Sequence, residues 1–169
     1  MNLKSLNNKR YKVTIYTDGA SLGNPGPGGY GIVMLAGKGR KEIAKGYRLT
    51  TNNRMELLST IVALESLKTN NCSVTIYSDS KYVVDAIENG WVFAWEQKRF
   101  NNKKNPDLWI RFLKVFRKIS EVKFIWVKGH DGNPGNERCD ILATEVSLKK
   151  NLGVDHYYEE NYQNDNKMF

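Results

Sequence analysis

Two short segments of this chain repeat one another, and each ends in an aspartate. The first reads Thr-Ile-Tyr-Thr-Asp and ends at Asp18, and the second reads Thr-Ile-Tyr-Ser-Asp and ends at Asp79. Both are rich in β-branched and aromatic residues, which is typical of strands. If the strands are parallel neighbours in equal register, about 5 Å separates them. Two carboxylates at that distance repel by roughly 3 kcal/mol, so the repeat predicts a site for a proton or a cation.

The pattern around this repeat predicts a mixed α/β fold. Strands are predicted over 11–18, 30–35, 42–49, 74–79 and 122–127, with a Gly/Pro loop over 20–29. Helices are predicted over 54–68, 80–89, 107–120 and 136–149. Short turns between the first three strands favour an antiparallel meander, and the later strand–helix–strand units require parallel pairing. We therefore expect one mixed five-stranded sheet flanked by helices.

This fold is expected to form a single domain over residues 1–150. The polar segment 151–169 lacks clear periodicity, so we expect a poorly ordered or loosely docked tail. The formal net charge of +8 favours a polyanionic partner such as nucleic acid. No apolar stretch reaches the roughly 18 residues of a membrane helix, and no apolar run follows the basic N-terminus. We expect a cytoplasmic monomer without membrane contact, in which Cys72 and Cys139 are reduced, partly buried thiols.

Two further acids lie near the starts of helices. Glu56 can complete a capping box with Asn53, or it can direct its carboxylate toward the sheet edge. Asp140 lies one turn into the last helix, where an acid is favourable by itself, and we assign only that helix role to its neighbour Glu137. Asp18 has an alternative as a turn residue.

Asp79 has an alternative as a helix cap. Taken together, however, four acids without a Cys/His cluster favour a hard cation such as Mg²⁺ or Mn²⁺. The matching chemistry is two-metal phosphodiester hydrolysis.

His130 lies in a loop with three glycines, after the last predicted strand. A lone histidine is more often a surface residue than a catalyst, but the aspartates gather at the same strand ends. We interpret His130 as a mobile proton carrier that assists leaving-group departure or product release. The other histidine, His156, is interpreted as structural or solvated.

Four segments, in this order, resemble type 1 ribonuclease H, the bacterial ribonuclease HI class. They are YTDGASLGNPGPGGYG at 16–31, TTNNRMEL at 50–57, YSDS at 77–80 and VKGHDGNPGNERCDILA at 127–143. A basic region containing DLW also fits, and the resemblance covers roughly 12–147. It implies a ribonuclease H-like sheet of order 3-2-1-4-5 with strand 2 antiparallel. It also implies hydrolysis of the RNA strand of RNA–DNA hybrids, leaving 3′-hydroxyl and 5′-phosphate ends.

The resemblance further implies the roles of the acids. Asp18 bridges two Mg²⁺ ions, with Mn²⁺ as the possible substitute. Asp140 joins Asp18 on the ion nearer the nucleophilic water, and Glu56 and Asp79 hold the other ion. His130 matches the mobile histidine of the family.

Contacts to the hybrid follow from the same resemblance. Residues matching those that contact the 2′-hydroxyls of the RNA strand are Gly19, Asn24, Asn52, Asn53 and Lys81. Lys81 departs from the glutamine that relatives often carry. The segment 91–104 resembles a basic protrusion that grips the DNA strand, with contacts assigned to Trp95, Lys98, Arg99, Lys103 and Lys104. It is shorter than in some relatives and Glu96 dilutes its charge, so hybrid affinity is expected to be lower. For Trp91 we favour core packing.

Three other functions compete with this interpretation. A binding module of the same fold without catalysis should have lost a carboxylate, and all four are present. An integrase or junction resolvase would not be expected to combine TNNRMEL with GNPG. A detached reverse-transcriptase domain is disfavoured because the sequence starts at Met1 without a polymerase region.

Overall fold

The structure, a computed structural model, describes residues 10–166, and five strands in this range form one sheet. The strands are β1 (Tyr11–Ser21), β2 (Gly26–Ala36), β3 (Gly39–Thr50), β4 (Cys72–Ser78) and β5 (Glu121–Trp126). Their order across the sheet is β3-β2-β1-β4-β5. β2 is antiparallel to both of its neighbours, and β4 is parallel to β1 and β5. The predicted fold and strand order are therefore confirmed.

Six helices accompany the sheet in the described residues. They are α1 (Asn52–Glu65), α2 (Lys81–Glu88), α3 (Trp91–Gln97), α4 (Pro106–Phe116), α5 (Pro134–Ser147) and α6 (His156–Asn166). Within 10–166, none of them has the length and apolar character that a bilayer crossing requires.

The two repeated segments pair in equal register at the centre of the sheet. Thr14 lies beside Thr75, and Ile15 lies beside Ile76. The rings of Tyr16 and Tyr77 stack with their centroids 5.1 Å apart. Because the strands are parallel and in register, the residues that follow their last pair, Thr17 and Ser78, lie side by side at one edge of the sheet, although β1 itself continues to Ser21.

Two glycines let helices approach this edge from opposite faces of the sheet. A Cβ on Gly19 would collide with the backbone of Met55 and Glu56 in α1. Gly31 is the β2 partner of Asp18, and a Cβ there would collide with the backbone of Cys139 in α5. Since successive residues of a strand face opposite sides, Asp18 points toward α5 and Gly19 toward α1. Helices therefore cover both faces of the sheet next to the edge where the pairing of β1 with β4 ends.

The predicted loop over 20–29 is partly wrong. β1 continues to Ser21 and β2 begins at Gly26, because Ala20 and Ser21 pair with Gly29 and Gly28. The Gly/Pro composition suggested a turn along the whole segment, whereas the bend occupies only its middle.

The expectation of a loosely docked tail is also wrong for the part that the structure describes. Gly153 bridges to Tyr47 at the edge strand β3, and its N–H donates to the carbonyl of Gly46 over 2.9 Å. Asp155 is buried and receives hydrogen bonds from Arg54. The last residues, 167–169, lie outside the described range.

Candidate active site

Three carboxylates meet where the pairing of β1 with β4 ends. Asp18 lies in β1 beside the point where β4 ends, Asp79 directly follows β4, and Glu56 is the fifth residue of α1. One oxygen from each of these acids lies within 4.8 Å of the others. Asp18 and Glu56 are each 6% exposed. The sequence prediction that distant acids converge here is confirmed for these three residues.

The capping alternatives for two of these acids are wrong. Thr51, rather than Asn53, is the N-cap of α1, and its side chain accepts a hydrogen bond from the N–H of Arg54 over 3.4 Å. Ser80, rather than Asp79, caps α2. The carboxylates of Glu56 and Asp79 therefore do not cap the N-termini of these helices.

Burial and mutual repulsion dominate the electrostatics of the group. Burial, followed by the charge of Asp79, raises the pKa of Asp18 to about 7, although the Gly19 N–H donates to Asp18 Oδ1 over 2.8 Å and opposes this rise. Burial and the charges of Asp18 and Asp79 raise the pKa of Glu56 well above its usual value. The side chains of residues 10–162 supply no ion-pair partner to the three acids.

The donor atoms of the group suit a hard divalent cation. Glu56 Oε2 and Asp79 Oδ1 are buried and have no hydrogen-bond partner among the described residues. Buried polar atoms are rarely left in this state. Carboxylate oxygens without sulfur or imidazole ligands are what Mg²⁺ and related ions bind. The residues present therefore fit a divalent metal.

Asp140 and His130 lie at the rim of the group instead of its centre. The Asp140 side chain is 36% exposed, and its charge contributes to the raised pKa of Asp18. His130 Nδ1 lies 3.9 Å from Asp140 Oδ2, and the His130 side chain is 81% exposed. The backbone of His130 is left-handed, with φ 54°. Three of the four predicted acids thus form a tight group, and the fourth stands beside it with the predicted histidine.

The loop before α5 packs directly against Asp79. A Cβ on Gly129 would lie 2.6 Å from Asp79 Oδ2, so a side chain at this position would displace the carboxylate of Asp79. Asn136 is 2% exposed, and its Nδ2 donates to Asp79 Oδ2 over 3.2 Å. Glu137 accepts from the N–H of Gly132 over 3.1 Å, so it braces the loop in addition to lying in the first turn of α5.

Sequence reasoning missed Asn136 as a functional residue. The available signal was its place between the histidine loop and Asp140, inside a motif that already contained two candidates.

The residues predicted to contact RNA lie at the same edge. Asn24 Oδ1 accepts a hydrogen bond from the Asn52 N–H over 3.2 Å, which ties the β1–β2 turn to the start of α1. Gly19 adjoins Asp18, and Asn53 is exposed in the first turn of α1. Lys81 opens α2 and places its ammonium 5.1 Å from the ring centroid of Trp126.

In the predicted protrusion, Trp91 is more exposed than expected, and Trp95 is half-buried. Trp91 is 49% exposed, so the expectation of core packing is wrong. Trp95 packs edge-on against the buried Trp109, with centroids 5.7 Å apart, and Lys103 Nζ lies 5.0 Å from its ring.

The turn after α3 presents the basic side chains of the protrusion. Lys98, Arg99 and Lys104 are exposed there. Glu96 forms a bidentate pair with Arg117, so its charge is neutralised locally and does not dilute the protrusion as expected.

A 3-2-1-4-5 sheet with buried carboxylates at its central strand ends defines a class, the metal-dependent hydrolases of the ribonuclease H-like fold. The RNase H family profile matches residues 10–147. The chain belongs to the ribonuclease H family, and it is accordingly a metal-dependent endonuclease.

Individual relatives agree with this family. The chain is 56% identical over 149 residues to a ribonuclease H of Desulforamulus reducens, and the aligned region covers 85% of this chain and 92% of the relative. It is 53% identical over 152 residues to a ribonuclease H of Syntrophus aciditrophicus, with 87% of each chain covered.

Solved structures are similar as well. LC9-RNase H1, a type 1 RNase H with the type 2 active-site motif, matches with a TM-score of 0.74 at 30% identity, over 82% of this chain and 73% of that one. LC11-RNase H1 in complex with an RNA/DNA hybrid matches with a TM-score of 0.60 at 28% identity, over 79% of this chain and 95% of that one.

Proposed function

We propose that this enzyme hydrolyses the RNA strand of RNA–DNA hybrids at the edge where Asp18, Glu56 and Asp79 meet, leaving 3′-hydroxyl and 5′-phosphate ends. The observation that carries the proposal is the buried group of three carboxylates without a cation from the described residues. A related enzyme, LC11-RNase H1, has been solved with an RNA/DNA hybrid. The net charge of +8 also suits a polyanionic substrate.

Asp18, Glu56, Asp79 and Asp140 would hold the divalent metal, which we propose to be two Mg²⁺ ions, with Mn²⁺ as a substitute. Bound ions of this kind activate water and stabilise charge on the phosphate oxygens. The oxygen-only donor set and the two buried oxygens without partners support this assignment.

The remaining residues of the site position these acids or move protons. The Gly19 N–H holds Asp18 Oδ1, and Asn136 Nδ2 holds Asp79 Oδ2, so each carboxylate is oriented by a hydrogen bond. His130 lies on an exposed loop next to Asp140. We propose that His130 delivers a proton to the departing 3′-oxygen.

Two surfaces beside the acids would hold the hybrid. Gly19, Asn24, Asn52 and Asn53 would contact the 2′-hydroxyls of the RNA strand, since asparagine both donates and accepts. The DNA strand would follow the protrusion of Trp95, Lys98, Arg99, Lys103 and Lys104. We further propose a catalytic domain over residues 1–150, acting as a cytoplasmic monomer without membrane contact.

Cleavage of matched substrates tests the proposal. The protein is mixed with labelled RNA–DNA hybrid, RNA duplex and DNA duplex of one sequence, in Mg²⁺, in Mn²⁺ and in EDTA. We expect cleavage of the hybrid alone, in its RNA strand, with either metal and not in EDTA. Cutting of the DNA duplex, or hybrid cleavage that survives EDTA, would contradict it. Ligation of the products to 5′-phosphate-dependent adaptors reads the chemistry of their ends.

A further inference from the structure

Lys81 and Trp126 form an exposed pair at the edge of the carboxylate group. Lys81 is two residues after Asp79, and Trp126 is the last residue of β5, the strand next to β4. The Lys81 ammonium lies 5.1 Å from the centroid of the Trp126 ring. The Trp126 indole N–H donates to the backbone carbonyl of Asp79 over 3.0 Å, so the ring is fixed to the same segment that carries the acid.

The ammonium of Lys81 has a charge that no acid of the described chain neutralises. Among the side chains of residues 10–162, no Asp or Glu lies within ion-pair distance of it. Lys81 is exposed and the Trp126 ring is 42% exposed, so both remain open to a large ligand. An indole face attracts a cation without cancelling its charge, and it therefore orients the ammonium while leaving it able to bind an anion.

The chemistry of Lys81 favours a phosphate over a hydroxyl. An ammonium is a compact point charge with three donors and no acceptor. Its hydrogen bonds to ionised oxygens are roughly twice as strong as bonds between neutral groups. A phosphodiester beside the cleavage edge offers ionised oxygens, whereas a 2′-hydroxyl offers a neutral one.

We propose that Lys81 and Trp126 form a phosphate-binding site for the substrate backbone, in which Lys81 supplies the charge and Trp126 is the positioning residue that holds it beside Asp79. This inference rests on the proposed function and deepens it. It changes the role of Lys81 from a reader of the 2′-hydroxyl, as expected from sequence, to a contact that does not distinguish RNA from DNA.

Salt dependence tests the charge of the site. KM for hybrid cleavage and the inhibition constant Ki of an uncleaved DNA duplex are measured across a range of KCl. We expect Lys81→Gln to raise both constants by a similar factor, about three- to tenfold at low salt, and to reduce the salt slope by roughly 0.7–0.9, as for one phosphate contact. kcat should stay within about twofold, since uniform binding is lost. Lys81→Arg should restore the slope.

Lys123→Gln is the matched control, because Lys123 is exposed on the same strand as Trp126 but nearer its start. Its salt slope should equal that of the wild type. If Lys81→Gln gives the same slope as this control, the proposal is wrong. If Lys81→Gln weakens the hybrid but not the DNA duplex, Lys81 reads the 2′-hydroxyl and the proposal is also wrong.

A double-mutant cycle tests the part played by Trp126. Trp126→Leu removes the ring and should raise KM by about two- to fivefold, the range expected for an exposed cation–π contact. Combined with Lys81→Gln, it should add no further change, because the ring acts through the ammonium. Trp126→Phe keeps a face and should lie between Trp126→Leu and the wild type. Additive effects in the double variant would overturn the positioning role.

The failure of this inference differs from failure of the proposed function. Wild-type protein that leaves the hybrid intact in Mg²⁺ would sink both. Normal hybrid cleavage with unchanged salt slopes in Lys81→Gln would sink only the phosphate site.

Discussion

Two clusters of buried charge lie near the start of α1, and their charges are compensated in opposite ways. Arg54 is 2% exposed, and its guanidinium donates to Asp155 over 2.7 and 2.8 Å and to Asp107 over 2.9 and 2.8 Å. Two residues later, Glu56 enters the carboxylate group, which has no cation among the described side chains. One cluster is paired within the chain and the other is not.

The surroundings of each cluster sharpen this difference. Although burial opposes it, hydrogen bonding to Asp107 and Asp155 raises the pKa of Arg54 above its usual value. The rings of Tyr157 and Tyr158 lie 5.4 and 5.8 Å from the guanidinium carbon. In the other cluster, neighbouring charges disfavour ionisation of Asp18 and Glu56.

In a paired cluster, the loss of one partner leaves a buried charge uncompensated, whereas in an unpaired cluster the repulsion between like charges is relieved when a cation binds. The start of α1 therefore contributes Arg54 to the paired cluster and Glu56 to the carboxylate group.

The largest effect should come from removing the central acid. We expect Asp18→Asn to lower kcat by about 10²- to 10⁴-fold, because metal-held carboxylates account for several kcal/mol of transition-state stabilisation. Initial rates on labelled hybrid in Mg²⁺ measure it. Asp85→Asn, an equal change in α2 outside the group, should keep the wild-type rate. Near-normal turnover of Asp18→Asn would remove that residue from the site.

Breaking the paired cluster should instead lower the stability of the fold. Arg54→Met leaves two buried or half-buried acids without their cation, and we expect a loss of about 3–5 kcal/mol in the free energy of unfolding. Urea denaturation measures this loss. Arg111→Met is the matched control, because Arg111 pairs with Glu65 of the same helix as Arg54, and both side chains of this pair are exposed, at 46% and 37%. Its cost should stay below about 1 kcal/mol. Equal losses in the two variants would show that burial of the pair does not matter.

The pH dependence of stability should report the unpaired cluster. The pKa of Asp18 rises from 3.8 to about 7 in the folded state, so the folded protein binds more protons than the unfolded one between these values. Its contribution to stability is therefore present at low pH and is lost as pH rises through 7. We expect a loss of roughly 1–4 kcal/mol in EDTA.

Urea midpoints between pH 4 and pH 8 measure this loss. Asp18→Asn should flatten the profile, and Mg²⁺ should offset the loss in the wild type. A profile that is the same in Asp18→Asn and the wild type would contradict the assignment of the repulsion to this residue.

The unpaired cluster was more predictable from sequence than the paired one. A repeated strand pattern marks Asp18 and Asp79, and parallel pairing in equal register places these two residues side by side. Asp155 has no comparable signal. It lies 101 positions from Arg54, in a segment whose helix is polar on every face. Contacts of this kind depend on where the chain returns after the last sheet-covering helix, which local periodicity does not encode.

Smaller errors have local causes. Thr51 and Asn53 are both good cap residues, so composition alone did not decide where α1 begins. Trp91 and Trp95 share a helix face by spacing, and only the path of the following turn brings Trp95 against Trp109. That turn contains the left-handed residues Arg99, Phe100, Asn102 and Asn105, which no sequence pattern marked.

The smallest effect should come from two buried threonines that differ only in the cluster they adjoin. Thr50 and Thr17 are both fully buried, at 0% exposure. Thr50 Oγ1 donates to Asp155 Oδ2 over 2.8 Å, whereas Thr17 Oγ1, beside Asp18, has no hydrogen-bond partner in the part of the chain whose side chains the structure describes. Valine has nearly the shape of threonine, so Thr50→Val should cost about 1–3 kcal/mol through a lost hydrogen bond to a charged group.

Thr17→Val should be neutral or stabilising, because it removes a hydroxyl whose burial is uncompensated. Urea denaturation of both variants in EDTA measures the difference. A cost for Thr17→Val equal to that of Thr50→Val would mean that the hydroxyl beside Asp18 is satisfied in solution. The contrast between a paired and an unpaired cluster would then have to be drawn around the carboxylates alone.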